Sequence, residues 1–394
     1  MKGFIKSIKD PIHGYVELTE LEIDLLDTLP LQRLRRIKQL PGSEYVYPGA
    51  INTRFEHSLG VMHLAGLMGE RLAEYVGEEV STELRAAGLL HDIGHGPFSH
   101  SFESILREKT GMSHEDVSVL LIQKTEISDI MNRHGLNVSD ICDLIRGKHR
   151  RRSLSKVINS SVDADKMDYT VRDSYHTGAG YSVDIHRIAI NVMEIEGDLV
   201  IHMRALEAVE SLLMARLLSF RTIYYHKTSR GVQLMLELAM KSIADELNLE
   251  EINDNPDVFL ELDDYSVWEL MKRGVHSRDI IRKLMRREIL KLVAEWHNIE
   301  LSMEELEKIR EELSKRSGIR KNDIIIDVPR IAFVKPHDLP MLWKDGKLYD
   351  PLKVSPVLSR LEQTFPSLTR IYTWPHFRNR LREIIRNKGP ASFL

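Results

Sequence analysis

The sequence predicts a mainly α-helical core followed by a smaller C-terminal α+β unit. Three observations carry that prediction. Between residues 17 and 245, apolar side chains recur at helical spacing in most segments. The polar, proline-bearing stretch "EINDNPD" at 251–257 interrupts the pattern. Beyond it, β-branched runs alternate with charged helical ones. We therefore expect a core over 1–250, a helical connector with a regulatory role over 251–300, and an α+β unit over 301–394.

A length of 394 residues accommodates two or three domains. With 42% hydrophobic and 29% charged residues the balance is globular, with ample core. A formal net charge of -4 gives no general argument for nucleic acid or membrane as partner. Cys142 is the single cysteine, which excludes an intrachain disulfide and points to a reducing cytoplasm. The start, "MKGFIKSIKD", lacks the apolar centre of a signal peptide. No apolar run approaches the ~20 residues that cross a bilayer.

Element by element, "ELTELEIDLLDTLPLQRLRRIKQL" (17–40) reads as helix broken at Pro30. "NTRFEHSLGVMHLAGLMGERLAEYV" (52–76) is a long amphipathic helix. A capping box, Thr53 with Glu56, places Arg54 and His57 in its first turn. "STELRAAGLLHDIGH" is a second helix, ended by Gly94, Gly96 and Pro97. Ser99 is a cap for the next helix, and Ser113 with Asp116 for another. Residues 203–248 continue the helical pattern, and 277–297 and 302–317 read as helices. The last of these is opened by Ser302 with Glu305 and closed by Gly318. "DIIIDVPRIAFV" (323–334) and "RIYTW" (370–374) read as strands. The basic run "KHRRR" (148–152) is either a solvated loop or a phosphate or nucleic-acid contact.

The stretch "LLHDIGHGPFSH" (89–100) crowds three histidines and an aspartate beside a helix break. His91 and Asp92 diverge by about 100° on a helix, yet both reach one ion beside it. His57 is the natural second imidazole, and "SSVDADKMDYTVRD" (160–173) offers carboxylates, with Asp165 placed to complete the set. Two imidazoles and two carboxylates leave open positions on a six-coordinate ion and suit Mn²⁺, Fe²⁺ or Mg²⁺ better than a closed zinc site. A structural His–Asp pair is the competing reading; on the metal reading His95, one turn after His91, stands behind the ligands or on a second ion. Arg54, at a helix N-terminus, suits phosphate. Lys166, Tyr169 and Asp173 share one helical face. That face could hold phosphate and then sugar, or be an ordinary salt-bridged surface.

The H…HD…D pattern resembles the HD-domain phosphohydrolases. "DPIHGYVEL", "QRLRRIKQL", "RFEHSLGVMHLAG", "AGLLHDIGHGPFSHSFE", "SHED" and "DADKMDYTVRD" resemble, more closely, the dNTP triphosphohydrolases related to the vertebrate SAM- and HD-domain enzyme. The likeness runs from about residue 3 to 300 and more loosely through the tail, with no SAM domain expected ahead of it.

This resemblance implies a divalent ion, with Mn, Fe, Mg, Ni and Zn all open, held by His57, His91, Asp92 and Asp165. It makes His114 the catalytic histidine, with Glu115 beside it and His95 and His100 at the reaction centre. It assigns Arg54, Lys166 and Arg216 to the triphosphate, and Gln39 and Asp173 to the deoxyribose 3′-hydroxyl. Leu40 and Tyr224 would crowd a 2′-hydroxyl, and Tyr169 lines the same pocket. Two positions depart from the vertebrate enzyme: Tyr225 replaces a glutamine beside the sugar and base, and Glu103 replaces an aspartate. Activated water would attack the α-phosphorus while His114 protonates the 5′-oxygen, releasing deoxynucleoside and triphosphate.

The resemblance also implies activation by GTP or dGTP within a homo-oligomer, a dimer or tetramer. Lys6, Asp27, Gln32 and Arg35 match a guanine site, Arg287 and Lys291 a phosphate clamp from another subunit, and His226 and Lys227 an adjoining nucleotide site. The plain alternative is an exposed helical surface. Two other functions compete with the dNTP reading: a different HD phosphohydrolase acting on monophosphates or cyclic dinucleotides, and a non-enzymatic nucleotide- or nucleic-acid-binding regulator.

Overall fold

The computed structural model describes residues 3–329, 339–361 and 368–394. It opens with an antiparallel hairpin, Lys6–Asp10 against Gly14–Leu18. Asp10 sets the turn: its Oδ1 accepts from the main-chain N–H groups of Ile12 and His13, both at 2.8 Å. The 17–40 segment breaks before Pro30, at Asp27 and Thr28, between helices Glu20–Leu26 and Leu29–Arg33. Proline lacks an N–H that a first turn leaves unused, so it opens the second helix rather than ending the first.

Helix Arg54–Val76 starts at the expected Thr53–Glu56 capping box and packs along helix Val80–Leu90. Val61, Ala65, Met68 and Leu72 from the first, and Leu84, Ala87 and Leu89 from the second, join one large apolar core. Helix Ala164–Thr177 packs on the first of this pair, Leu206–Ser219 packs on Ala164–Thr177, and Lys227–Lys241 packs on His100–Thr110, which His114–Lys124 follows in the chain. A π-helical turn, Phe220–Tyr224, follows Leu206–Ser219. The boxes at Ser113/Asp116 and Ser302/Glu305 form as expected, because they depend only on residues three apart.

Residues 277–297 depart from the helical expectation. Helix Ser277–Met285 ends before Arg287, which takes a left-handed φ of 61°, and Lys291–His297 is a strand. Its partner, Leu368–Thr373, lies far along the chain and also pairs with Ile324–Asp327, giving a three-stranded antiparallel sheet. Within the stretch expected as strand at 323–334, Ile324–Asp327 is strand and 330–334 lies outside the described residues. Neighbours on the central strand face opposite ways: Ile371 enters a small core with Trp296, Ile309 and Leu381, while Tyr372 enters the large one.

The 251–300 range sends Phe259, Val267, Met271 and Ile281 into the large core. Leu339, Met341 and Leu358 also return there. Met341–Leu342 pairs in parallel with Asp198–His202, whose other neighbour is Val192–Ile195. Among the described residues, no helix is long and apolar enough to cross a membrane.

Candidate active site

The site forms where three helix ends meet. His57 sits in the first turn of Arg54–Val76, His91 and Asp92 follow the last turn of Val80–Leu90, and Asp165 lies in the first turn of Ala164–Thr177. Each imidazole is held by one nitrogen. His57 Nδ1 is 2.8 Å from Asp168 Oδ2, and His91 Nδ1 is 2.8 Å from the Gly88 carbonyl. Both acceptors require an N–H at Nδ1, which leaves a lone pair on each Nε2. His57 Nε2 lies 3.0 Å from Asp165 Oδ1 and 3.7 Å from Asp92 Oδ2; His91 Nε2 lies 3.3 Å from Asp92 Oδ1 and 3.8 Å from Asp165 Oδ1.

Neither Nε2 makes a hydrogen bond, though both are buried. His57, His91 and Asp165 have the spacing of a metal-ligand group, and so do Asp92, His95 and His114. Two buried nitrogens aimed at two carboxylates fit a divalent ion. Burial alone would push the His57 imidazole down, but the Asp165 and Asp168 carboxylates outweigh it and raise it to about 10. Burial would raise Asp165 and Asp92; neighbouring cationic groups hold both below the usual carboxylate range. A dication at the centre reverses this logic and favours neutral imidazole.

Arg54 is buried, donating from Nε to Ser99 Oγ at 2.8 Å and from Nη1 to Asp92. Ser99 occupies the expected cap position of His100–Thr110, yet its side chain caps nothing. The hydroxyl instead accepts from Arg54 and donates to the Lys38 carbonyl at 2.7 Å. Phe98 and Ser99 both have left-handed φ, 56° and 51°, a strain of about 1–3 kcal/mol each. Asp264 pins this bend by accepting from the Phe98 N–H at 2.7 Å. Arg33, fully buried, donates to the carbonyls of Ile93 and His95 at 3.3 and 2.9 Å, which satisfies two acceptors in the turn that follows Val80–Leu90.

His114 Nδ1 lies 3.0 Å from Glu103 Oε2, and its ring stacks on His95 with centroids 4.0 Å apart. Burial pushes the His114 imidazole down, but the Glu103 carboxylate prevails and raises it. Burial, Arg54 and His114 push His95 well below the ordinary value. Glu103 thus reaches the catalytic candidate despite replacing an aspartate. His100 stands at the rim, its side chain 78% exposed and edge-on to His95. Glu115 is half-buried in the first turn of His114–Lys124.

Farther along Ala164–Thr177 lie Lys166, Tyr169 and Asp173. Lys166 Nζ is 2.7 Å from Asp163 Oδ2. Arg216 donates to the Ser161 carbonyl at 3.0 Å and to the Tyr169 hydroxyl at 3.2 Å. Asp173 accepts from Asn52 Nδ2 at 3.1 Å and from the Tyr224 hydroxyl at 2.9 Å. Burial pushes its carboxyl up to about 6, against the pull of those two donors. Leu40 packs with Ala50, Ile223 and Tyr224, while Gln39 Oε1 is buried without a hydrogen-bond partner. Tyr225 stacks on Phe220 at 5.7 Å.

The regulatory candidates are dispersed. Gln32 Oε1 accepts from Arg35 Nε at 3.0 Å, and the Arg35 guanidinium lies 3.5 Å over the Phe55 ring. Asp27 ends the preceding helix and is exposed, as is Lys6 on the first strand. Arg287 donates to the Tyr45 carbonyl at 3.2 Å, and Lys291 opens its strand. His226 caps Lys227–Lys241, with Lys227 its first residue. In the 148–152 run, Arg151 and Arg152 lie 3.6 and 3.7 Å from Glu194 and Asp198, which fits a solvated, charge-balanced loop.

The groups that hold the candidate ligands have no role assigned to them by sequence pattern. Asp163 and Asp168 stand only among several carboxylates of 160–173, Asp10 and His13 lie in "DPIHGYVEL" with no role of their own, and Asn52 has none. The four-residue spacing of Asp168 and Arg172 was the one available clue, and they pair at 2.8 Å.

The HD domain family model matches residues 54–173, and the HD associated region model matches 183–387. The chain is 32% identical to a Dictyostelium discoideum protein named deoxynucleoside triphosphate triphosphohydrolase SAMHD1 homolog, over 82% of this chain and 66% of that one. Against the human deoxynucleoside triphosphate triphosphohydrolase SAMHD1 the identity is 29%, over 82% and 62%. The chain thus spans less than two thirds of either relative. An uncharacterized Methanocaldococcus jannaschii protein is 32% identical, over 93% and 78%. The crystal structure of a hypothetical protein from Aquifex aeolicus superposes with a TM-score of 0.82 at 28% identity, covering 97% of this chain and all of that one.

Proposed function

This chain belongs to the family of HD-domain proteins that carry an HD-associated region, and from that premise we propose that it is a divalent-metal-dependent hydrolase that cleaves dNTPs to deoxynucleoside and inorganic triphosphate. The names of the Dictyostelium and human relatives support this reading. The observation that carries it is one helix face. Along Ala164–Thr177, Asp165 meets the two free imidazole nitrogens, Lys166 and Tyr169 follow, and Asp173 closes a pocket with Tyr224 and Leu40. Eight residues at a rise of 1.5 Å span about 12 Å, room for a phosphate at one end and a sugar at the other.

A divalent ion at His57, His91, Asp92 and Asp165 supplies Lewis acidity toward the α-phosphate and lowers the pKa of water. The chain's own groups do the rest. Lys166 and Arg216, held by Asp163 and the Ser161 carbonyl, bind the outer phosphates, and Arg54, held by Ser99, faces the developing charge. Asp173 accepts from the 3′-hydroxyl, while Leu40 and Tyr224 wall the sugar. A water molecule that has lost one proton to solvent bonds through its oxygen to the α-phosphorus, and the bond to the 5′-oxygen breaks. The proton of the His114 imidazolium, oriented by Glu103, passes to that 5′-oxygen. GTP or dGTP bound at Asp27, Gln32 and Arg35 would promote the active oligomer.

The test is product analysis with each dNTP and with Mn²⁺ or Mg²⁺ in ¹⁸O-water. Deoxynucleoside and triphosphate carrying one ¹⁸O are expected. Monophosphate with pyrophosphate would overturn the reading, as would activity confined to monophosphates or cyclic dinucleotides.

A further inference from the structure

The Asp168 carboxylate is fully buried and meets four nitrogen donors. Oδ2 takes His57 Nδ1 and Arg172 Nε, each at 2.8 Å. Oδ1 takes Arg172 Nη2 at 2.9 Å and His13 Nε2 at 2.6 Å. An ionised carboxylate only accepts, so His13 donates from Nε2. Arg172 Nη1 in turn reaches Asp10 Oδ2 at 2.8 Å. Asp10 uses its other oxygen to fix the hairpin turn that carries His13.

The packing leaves this cluster no slack. A Cβ on Gly60 would sit 1.8 Å from Asp168 Oδ1 and 2.5 Å from Arg172 Nη2. Gly60 lies one turn after His57, so the bare backbone there lets the Asp168–Arg172 pair reach under the helix that carries the ligand. Two of the residues that immobilise Asp168, His13 directly and Asp10 through Arg172, come from a strand pair with no group in the ligand set.

We propose that the N-terminal hairpin is a working part of the metal centre, in which His13 and Asp10 are positioning residues that act through Asp168 and Arg172 to hold His57 with Nε2 toward the ion. The inference rests on the metal-dependent reading above. A ligand imidazole binds tightly when its second nitrogen is anchored, because the ring's rotation and tautomer are then settled before the ion arrives. Without His13, Oδ1 is held by Arg172 alone. The carboxylate can then turn, and the ring it anchors turns with it.

The experiment uses the full chain and Mn²⁺ alone, with affinity read from the electron paramagnetic resonance of the free ion and folding from thermal melting in EDTA. His13→Phe keeps a ring beside His63, whose centroid is 5.1 Å from that of His13, but removes the donor. It is expected to weaken Mn²⁺ binding by about 10-fold, the low end of the loss caused by removing a group that touches a ligand directly. His13→Gln, whose amide can still donate to Asp168, should stay near wild type. His13→Asn, with an amide too short to reach, should weaken binding like His13→Phe and gives the readout if that variant does not fold. Folded His13→Phe or His13→Asn protein that binds Mn²⁺ as wild type does would overturn the role of the hairpin. Wild-type protein that binds no Mn²⁺ would overturn the metal reading itself, and this inference with it.

Discussion

Gly94→Ala tests whether the approach of two backbones sets the catalytic geometry. Gly94 lies two residues past Asp92, beneath the start of His114–Lys124. An added Cβ would stand 2.2 Å from the His114 carbonyl oxygen and 2.3 Å from the Ser118 nitrogen. Ordinary contact begins at 3.4 Å, so the segments must separate by 3.4 minus 2.2, or 1.2 Å. Both obstacles are main-chain atoms, so no side chain can rotate to relieve them. The bonds from Gly94 N–H to Ser118 Oγ, 2.9 Å, and from Ser118 Oγ to the His91 carbonyl, 2.8 Å, stretch as well. Overpacking of this kind destabilises by about 1–3 kcal/mol. Lost unfolded-state freedom returns about 0.4–1 kcal/mol, so the net effect is a modest loss. The rate should suffer more: displacing a catalytic group by about 1 Å slows turnover on the order of 10²-fold. The assay is triphosphate release from dATP at saturating Mn²⁺, with thermal melting and metal content measured alongside. Undiminished kcat in folded, metal-loaded Gly94→Ala protein would refute the reasoning.

His57→Ala and Asp92→Ala should each abolish hydrolysis through loss of the ion; stoichiometric metal in both variants would count against these ligands. His114→Ala should retain metal and slow turnover by roughly 10²–10⁴-fold. Because Glu103 raises the His114 pKa and the acid form is the one needed, activity falls as pH rises through that pKa. Glu103→Gln should therefore move the alkaline limb of the kcat profile to lower pH, and an unmoved limb would remove Glu103 from the role. GTP or dGTP should speed dATP hydrolysis and shift sedimentation, and Arg35→Ala should blunt both while leaving basal turnover intact. If neither nucleotide alters rate or assembly in wild type, Gln32 and Arg35 are plain helical surface.

The carboxylates of 160–173 show how far the sequence could be read. Four aspartates in one short stretch are chemically alike, and helical periodicity orders them around an axis without saying what each face meets. The fold separates them. Asp163 caps the helix and holds Lys166, Asp165 faces His57 and His91, Asp168 is locked to Arg172 and His13, and Asp173 meets Tyr224 and Asn52. Ser99 is a similar case: its position as a cap was legible, but the hydroxyl is drawn to Arg54 and Lys38, which lie far away in sequence.

Features whose physics is local can be read from the residues alone. Capping boxes at Thr53, Ser113 and Ser302 join groups three residues apart, and all three form. The residue types of the candidate ligand set were legible too, because imidazole and carboxylate beside a helix break suit few purposes. The strand at Lys291–His297 depends instead on long-range pairing. Its apolar spacing fits either helix or strand, and the choice is made by hydrogen bonds to Leu368–Thr373, whose distance in sequence leaves no trace in a local window. The hairpin's contact with Asp168, beside the candidate ligand His57, depends on the fold in the same way. A buried carboxylate must be neutralised by whichever donors the fold brings within reach, and for Asp168 these include His13, 155 positions away.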